Sequence, residues 1–226
     1  MIKNILLDCD GVLYPLEELK TKDIVDAMKQ VYRNDVGLTP DEQRYVSEKT
    51  IAENHLGMFN YINAICRFKH YDFDKFCENM ANIIDYGSIK HNEQMWQSLK
   101  ELSQTYHIGV LTNNSRAHLS KVFKRVFNRD ITEVESNGIK AYDIKFTEHN
   151  GCFCPKQSEK GLSLFLQKLN MKPEETVLFD DTPVNIEKAE NAGIHAVLIT
   201  PRNSLIKQLN IMLSEKTFIW KNKSYE

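Results

Sequence analysis

The chain has 226 residues, 42% of them hydrophobic and 27% charged, with a formal net charge of -2. That composition excludes a disordered chain, and it carries no basic surplus to attract nucleic acid or an anionic membrane. No apolar run reaches the length of a membrane span, and the length suits one large domain or a core with a sizeable insertion.

Near the N-terminus, Ile5-Leu6-Leu7 is an apolar run that reads as a buried strand, followed at once by Asp8-Cys9-Asp10-Gly11-Val12-Leu13-Tyr14. Side chains at i and i+2 of a strand point the same way, so Asp8 and Asp10 share one site if the strand persists through them. Gly11 then allows a sharp turn. Two carboxylates that close repel, and one takes up a proton unless a cation lies between them. Mg²⁺ is the simplest cation for such hard oxygen ligands. The same residues also read as a polar turn that merely ends a strand.

From 17 to about 102 the sequence reads as helices. Ile24, Met28 and Val31 keep a helical spacing, as do Met58, Tyr61, Ile62 and Ile65. Thr39 is the expected N-cap of a helix beginning at Pro40, and Asp72 opens the helix holding Phe73, Phe76 and Met80. The pattern then changes. Ile108-Gly109-Val110-Leu111 reads as a strand, 116–127 as a helix, 128–140 as a polar surface loop, and Ile144-Lys145-Phe146-Thr147 as a weaker strand. A helix over 161–169, a strand at Val177-Leu178-Phe179, a helix over 186–192 ended by Gly193, and a strand at 196–199 follow. The tail from Pro201, with Leu205, Leu209, Met212, Phe218 and Trp220, reads as a terminal helix and extension. Strands alternating with helices imply right-handed crossovers and a mainly parallel sheet. The expected organisation is an α/β core of 1–15 and 103–226, interrupted by a helical module over 16–102.

The five cysteines form no regular framework, and the chain opens with no apolar signal segment. Reduced thiols in the cytosol are therefore expected. Cys152 and Cys154 with His149 lack a fourth ligand at suitable spacing and are not read as a zinc site.

Ligands of open α/β sheets bind outside the carboxyl ends of the strands. Three such ends are polar here: Asp8 and Asp10, Thr112-Asn113-Asn114-Ser115, and Asp180-Asp181-Thr182-Pro183. Lys156, in a loop before a helix, can bring positive charge to the same edge. Each has a plainer reading: Thr112, Asn113 and the Asp180-Asp181 pair as helix caps, and Lys156 as a solvated lysine. In the same plain terms Tyr14 is packing, Phe59, Tyr61 and Phe73 form the module's own core, and His55 is a surface or packed histidine.

Together these segments resemble the haloacid dehalogenase-like phosphatase superfamily. Asp8, Asp10, Gly11 and Val12 match its first motif, and the strand ending in Thr112 its second. Lys156 matches the third motif, and the strand ending in Asp180-Asp181 the fourth. The helical module is similar to that superfamily's first class of cap domain. Leu13-Tyr14-Pro15, His55-Leu56-Gly57 and Asp180-Asp181 followed by Asn185-Ile186 are similar to the pyrimidine 5′-nucleotidase branch. Cys9 stands where a bulky apolar residue is usual, and Asn185 replaces an acid found in some branches. Pro155 precedes Lys156 instead of a proline following it, which leaves Lys160 as a rival for the third motif.

The resemblance implies a Rossmann-like core, an inserted helical cap and Mg²⁺-dependent phosphate-ester hydrolysis through an aspartyl-phosphate. Asp8 is then the nucleophile, and Asp10 the acid that protonates the leaving oxygen and afterwards the base toward water. The ion is held by Asp8, the Asp10 backbone carbonyl and Asp181, with Asp180 either behind it or sharing it. Thr112 and the backbone near Asn113 bind the phosphoryl group, and Lys156 neutralises its charge. The implied substrate is a small phosphorylated metabolite, a nucleoside monophosphate first and a sugar phosphate second. No nucleic-acid or membrane partner is expected, and oligomeric state cannot be read from the sequence. A phosphomutase, a dehalogenase (which needs neither Mg²⁺ nor an acid at position 10) and an inactive binding module are the competing readings.

Overall fold

The computed structural model describes residues 1–53, 55, 57–158 and 160–214. Strand β1 (Asn4–Leu7) is followed by helices α1 (Thr21–Asn34), α2 (Pro40–Ala52), α3 (Met58–Lys69), α4 (Phe73–Ile83) and α5 (Glu93–Leu102). Next come β2 (His107–Leu111), α6 (Arg116–Val126), α7 (Ile131–Ser136) and β3 (Ile139–Tyr142), then a small hairpin of β4 (Glu148–His149) and β5 (Cys152–Phe153). The remainder is α8 (Gly161–Leu169), β6 (Thr176–Asp180), α9 (Pro183–Asn191), β7 (His195–Leu198) and α10 (Leu205–Ser214).

Five strands form a sheet in the order β3-β2-β1-β6-β7, and every pairing is parallel. The apolar runs are what a sheet buried on both faces requires. Ile5, Leu7, Ile108, Val110, Val177 and Phe179 pack on one face with residues of α5, α6 and α10. Leu6, Leu111, Leu178 and Ala196 pack on the other with α8 and α9. The strand order reverses on either side of β1, which makes its carboxyl end the topological switch point where such sheets bind ligands.

Helices α1 to α4 carry an apolar cluster of their own, built on residues such as Val31, Ile62, Phe76 and Met80. Their start signals act as expected. Thr39 accepts from the Glu42 N–H and the Glu42 carboxylate returns the bond, closing a capping box with Pro40 at the first position. Asp72 caps α4 through the Lys75 N–H. Helix α5 packs differently: Met95, Trp96, Leu99 and Leu102 join the cluster that covers the sheet.

Two local expectations are corrected. The segment read as a surface loop over 128–140 folds into α7 and the start of β3. Ile139 and Ala141 turn inward while Lys140 stays exposed, and so short an alternation is hard to tell from loop. The weaker strand at Ile144–Thr147 is a 3₁₀ turn. Its buried residues, Ile144 and Thr147, are three apart, the spacing at which a 3₁₀ helix stacks side chains on one side. Of the tail, α10 forms as expected, while Phe218 and Trp220 lie outside the described residues, as does Leu56. No helix among the described residues is long and apolar enough to cross a membrane.

The Trp96 ring is buried 5.6 Å from that of Phe127. Trp96→Ala is therefore expected to lower unfolding stability in a urea titration by about 3–5 kcal/mol. A loss below about 1 kcal/mol would mean that α5 does not pack as part of the sheet's core.

Candidate active site

The parallel register places Leu7 beside both Val110 and Phe179. The next residues, Asp8 after β1, Leu111-Thr112 at the end of β2 and Asp180-Asp181 at the end of β6, therefore emerge at one level of one edge. They open into a cleft of about 390 Å³ lined by Asp8, Asp10, Thr112, Asn113, Asp181 and Asn185 from this edge. Thr21, Met58, Phe59 and Asn60 face it from the helical side.

Lys156 is 3% exposed and its Nζ lies 2.7 Å from Asp8 Oδ1 and 2.7 Å from Asp180 Oδ2. Lys160, the rival, is exposed. Asn113 fixes the lysine loop: its Oδ1 accepts from the Lys156 N–H at 2.9 Å, and its Nδ2 donates to Gln157 at 2.8 Å. The Asp8 carboxyl is pushed up to about 8 by burial, by Asp180 and by Asp10, against the opposing pull of Lys156. The ammonium of Lys156 loses by burial and gains more from Asp8 and Asp180, so its proton is held more tightly than usual.

Asp180 is fully buried and accepts from Lys156, from the Thr182 N–H at 2.9 Å and from Asn185 Nδ2 at 2.9 Å. Asp181 is only partly buried and lines the cleft. Gly11, at φ +79°, makes room for it: a Cβ there would lie 2.0 Å from Asp181 Oδ2. Asp8, Asp180 and Asp181 each bring a carboxylate oxygen within 4.8 Å of the others. Burial raises the Asp181 carboxyl as well. Asn185 Oδ1 is buried without a hydrogen-bond partner among the described residues. Crowded acidic oxygens and an orphaned amide oxygen form a hard donor set that suits a divalent cation.

Asp10 reaches the same cleft by another route. β1 ends at Leu7, so the two acids do not share a site through strand alternation. The turn at Gly11 carries Asp10 to a separate set of partners. Burial works to raise its carboxyl, but His118, Tyr14 and Asn114 outweigh that and hold it at about 2. His118 Nε2 is 2.7 Å from Asp10 Oδ1, and the Tyr14 hydroxyl bonds the same oxygen. Thr112 is buried, and its Oγ1 accepts from the Asn114 N–H at 3.0 Å, which leaves the hydroxyl hydrogen to donate.

No motif in the sequence singles out His118 or Tyr86, and Tyr14 reads there as packing and as part of the Leu13-Tyr14-Pro15 resemblance. The signal for His118 was its place at i−4 and i−8 from Val122 and Val126, on the buried face of α6.

Residues 2–193 match the family model described as haloacid dehalogenase-like hydrolase, and the chain belongs to that family. Solved structures share its fold. A HAD family enzyme of Bacteroides thetaiotaomicron, in complex with magnesium and inorganic phosphate, is 16% identical, with a TM-score of 0.51 over 88% of this chain and 95% of that one. A predicted HAD-like hydrolase of Porphyromonas gingivalis is 18% identical, with a TM-score of 0.55 over 94% of this chain and 98% of that one. CbbY of Rhodobacter sphaeroides, a mutant in complex with xylulose-1,5-bisphosphate, is 17% identical, with a TM-score of 0.54 over 91% of this chain and 89% of that one.

Lys156→Met leaves two buried carboxylates face to face. It is expected to cost about 3–5 kcal/mol of stability at pH 7. Without the ammonium, burial holds the Asp8 carboxyl still further above its unfolded value, so the variant should recover stability as the pH falls toward 5. Chemical denaturation at the two pH values checks this, and a loss that is small and independent of pH would contradict it.

Proposed function

We propose that this hydrolase is a Mg²⁺-dependent phosphatase that cleaves a small phosphorylated metabolite through an aspartyl-phosphate on Asp8. The observation that carries this reading is the meeting of Asp8, Asp180, Asp181 and Lys156 at one sheet edge, beneath a cleft. Asp8, Asp181 and the Asp10 backbone carbonyl would hold Mg²⁺, with Asn185 Oδ1 available to the shell and Asp180 behind, already committed to Lys156 and Asn185. When bound, the ion offsets the repulsion between the acids and an anionic substrate and keeps Asp8 ionised. The complex of the Bacteroides relative with magnesium and phosphate supports the assignment.

Asp8 attacks phosphorus, and the bond to the leaving oxygen breaks as the new P–O bond forms. Asp10 gives the leaving oxygen its proton and later takes one from the water that hydrolyses the intermediate. A dianionic phosphate arriving beside Asp10 raises its proton affinity, which suits the first of these steps. Thr112 donates to a phosphoryl oxygen, aided by backbone N–H groups at Asn113 and at the start of α6. Lys156 balances charge on the transferring group. Asn113 acts on substrate through its backbone, since its side chain holds the lysine loop.

In this reading 1–15 and 103–226 form the core and 16–102 the cap, with α1 to α4 the part that can move over the cleft. Substrate choice falls to the cap side of the cleft. Met58 and Phe59 from the cap, with Ile144 and Phe153 of the core beside them, supply an apolar wall, which suits a nucleobase and makes a nucleoside monophosphate the first choice. A sugar phosphate is the second, supported by the bisphosphate complex of CbbY. The five cysteines are all free thiols, in keeping with a reducing cytoplasm.

Asp8→Asn should lower turnover of an aryl phosphate in Mg²⁺ by at least about a thousandfold, some 4 kcal/mol of barrier, with the fold retained by circular dichroism. A loss under about tenfold excludes Asp8 as nucleophile. EDTA should abolish wild-type turnover and added Mg²⁺ restore it. In a panel of phosphorylated metabolites, nucleoside monophosphates should lead, and a flat profile would remove support for that substrate class.

A further inference from the structure

Three chain segments converge on the Asp10 carboxylate. Tyr14, four residues on, bonds Oδ1. His118, in the first turn of α6, approaches the same oxygen with Nε2 at 2.7 Å. Asn114, in the loop before that helix, adds a side-chain hydrogen bond. His118 is 2% exposed, so its ring has no water to orient it. Its other nitrogen, Nδ1, lies 3.0 Å from the hydroxyl of buried Tyr86, and the two rings are 5.5 Å apart. The backbone is fixed too, because Ser115 Oγ caps α6 by accepting from the His118 N–H at 3.3 Å.

A carboxylate only accepts, so Nε2 donates to it. With both Tyr14 and His118 on Oδ1, a proton carried by Asp10 belongs on Oδ2. A buried imidazole held at both nitrogens therefore fixes which edge of the acid faces the substrate. The helix start that places Thr112 and Asn113 at the phosphoryl site places this ring as well.

We propose that His118, itself held by Tyr86, is a positioning residue that aligns Asp10 for proton transfer to the leaving oxygen. This rests on Asp10 being the acid of the reaction proposed above.

The test uses the full chain in Mg²⁺ with two substrates. A nitrophenolate leaves without help from an acid, whereas an alkoxide needs its proton. His118→Ala should lower kcat/KM for glycerol phosphate about a hundredfold and for p-nitrophenyl phosphate by less than about tenfold, because kcat/KM reports formation of the aspartyl-phosphate and not its hydrolysis, which Asp10 serves as base on both substrates. His118→Gln, which keeps an N–H donor, should recover at least about tenfold of the glycerol phosphate loss. Tyr86→Phe should show the same substrate split with a smaller loss, and it keeps the inference testable if His118→Ala does not fold. Mg²⁺ affinity by calorimetry should stay within about threefold of wild type in each variant. Equal losses on the two substrates, no loss on glycerol phosphate, or collapse of Mg²⁺ binding would each overturn the positioning role. Asp10→Asn is the separate control. If it lowers kcat/KM equally for both substrates, or if wild type cleaves neither, the acid assignment falls and takes the role of His118 with it.

Discussion

One buried ammonium group, 2.7 Å from each of two carboxylates, organises the whole edge of the sheet. Its origin is topological. Parallel pairing of β1 with β6 sets Leu7 against Phe179, and the next residue of each strand is an aspartate. Two acids are thereby forced together at a depth where water cannot screen them. Lys156, delivered by the loop before α8, makes that arrangement tolerable, and Asn113 holds the loop in place from the neighbouring strand end. The acids remain in excess all the same, which is why burial and like charges still drive the Asp8 carboxyl upward. The site is thus built with more negative charge than its own lysine balances, and Asp181, kept at the cleft by the absence of a side chain at Gly11, stands where a further cation is needed.

The helical side is tied to this same loop. Asn60 on α3 grips the Phe153 backbone with both ends of its amide, at 2.9 and 2.8 Å, and Phe73 on α4 packs 5.1 Å from the Phe153 ring. β5 then leads through Pro155 to Lys156. The helices that wall the cleft are in this way connected to the segment carrying the site's buried cation, and a shift of α3 would be felt there.

Much of this was legible because it rests on local chemistry. Apolar runs broken by Asp or Thr marked β1, β2 and β6 and their polar ends, and Thr39 and Asp72 announced their helices. What stayed hidden depends on tertiary partners. β3 is a four-residue edge strand whose alternation is too brief to separate from loop. The choice between Lys156 and Lys160 turns on which of them the fold buries, and spacing does not reveal that. The closeness of Asp8 and Asp180 follows from strand register, which a single sequence leaves open. His118 and Tyr86 lie 32 positions apart, and only folding brings them to the same carboxylate.

If the site works as proposed, its acidic strand ends meet around a divalent ion poised over a phosphoryl site. A crystal structure of the wild-type protein grown with Mg²⁺ and inorganic phosphate tests it most directly. The expected result is an octahedral ion at about 2.0–2.1 Å from Asp8 and Asp181 oxygens, with phosphate against Thr112 and Lys156. An ion bound elsewhere, or phosphate held without contact to either residue, would contradict it.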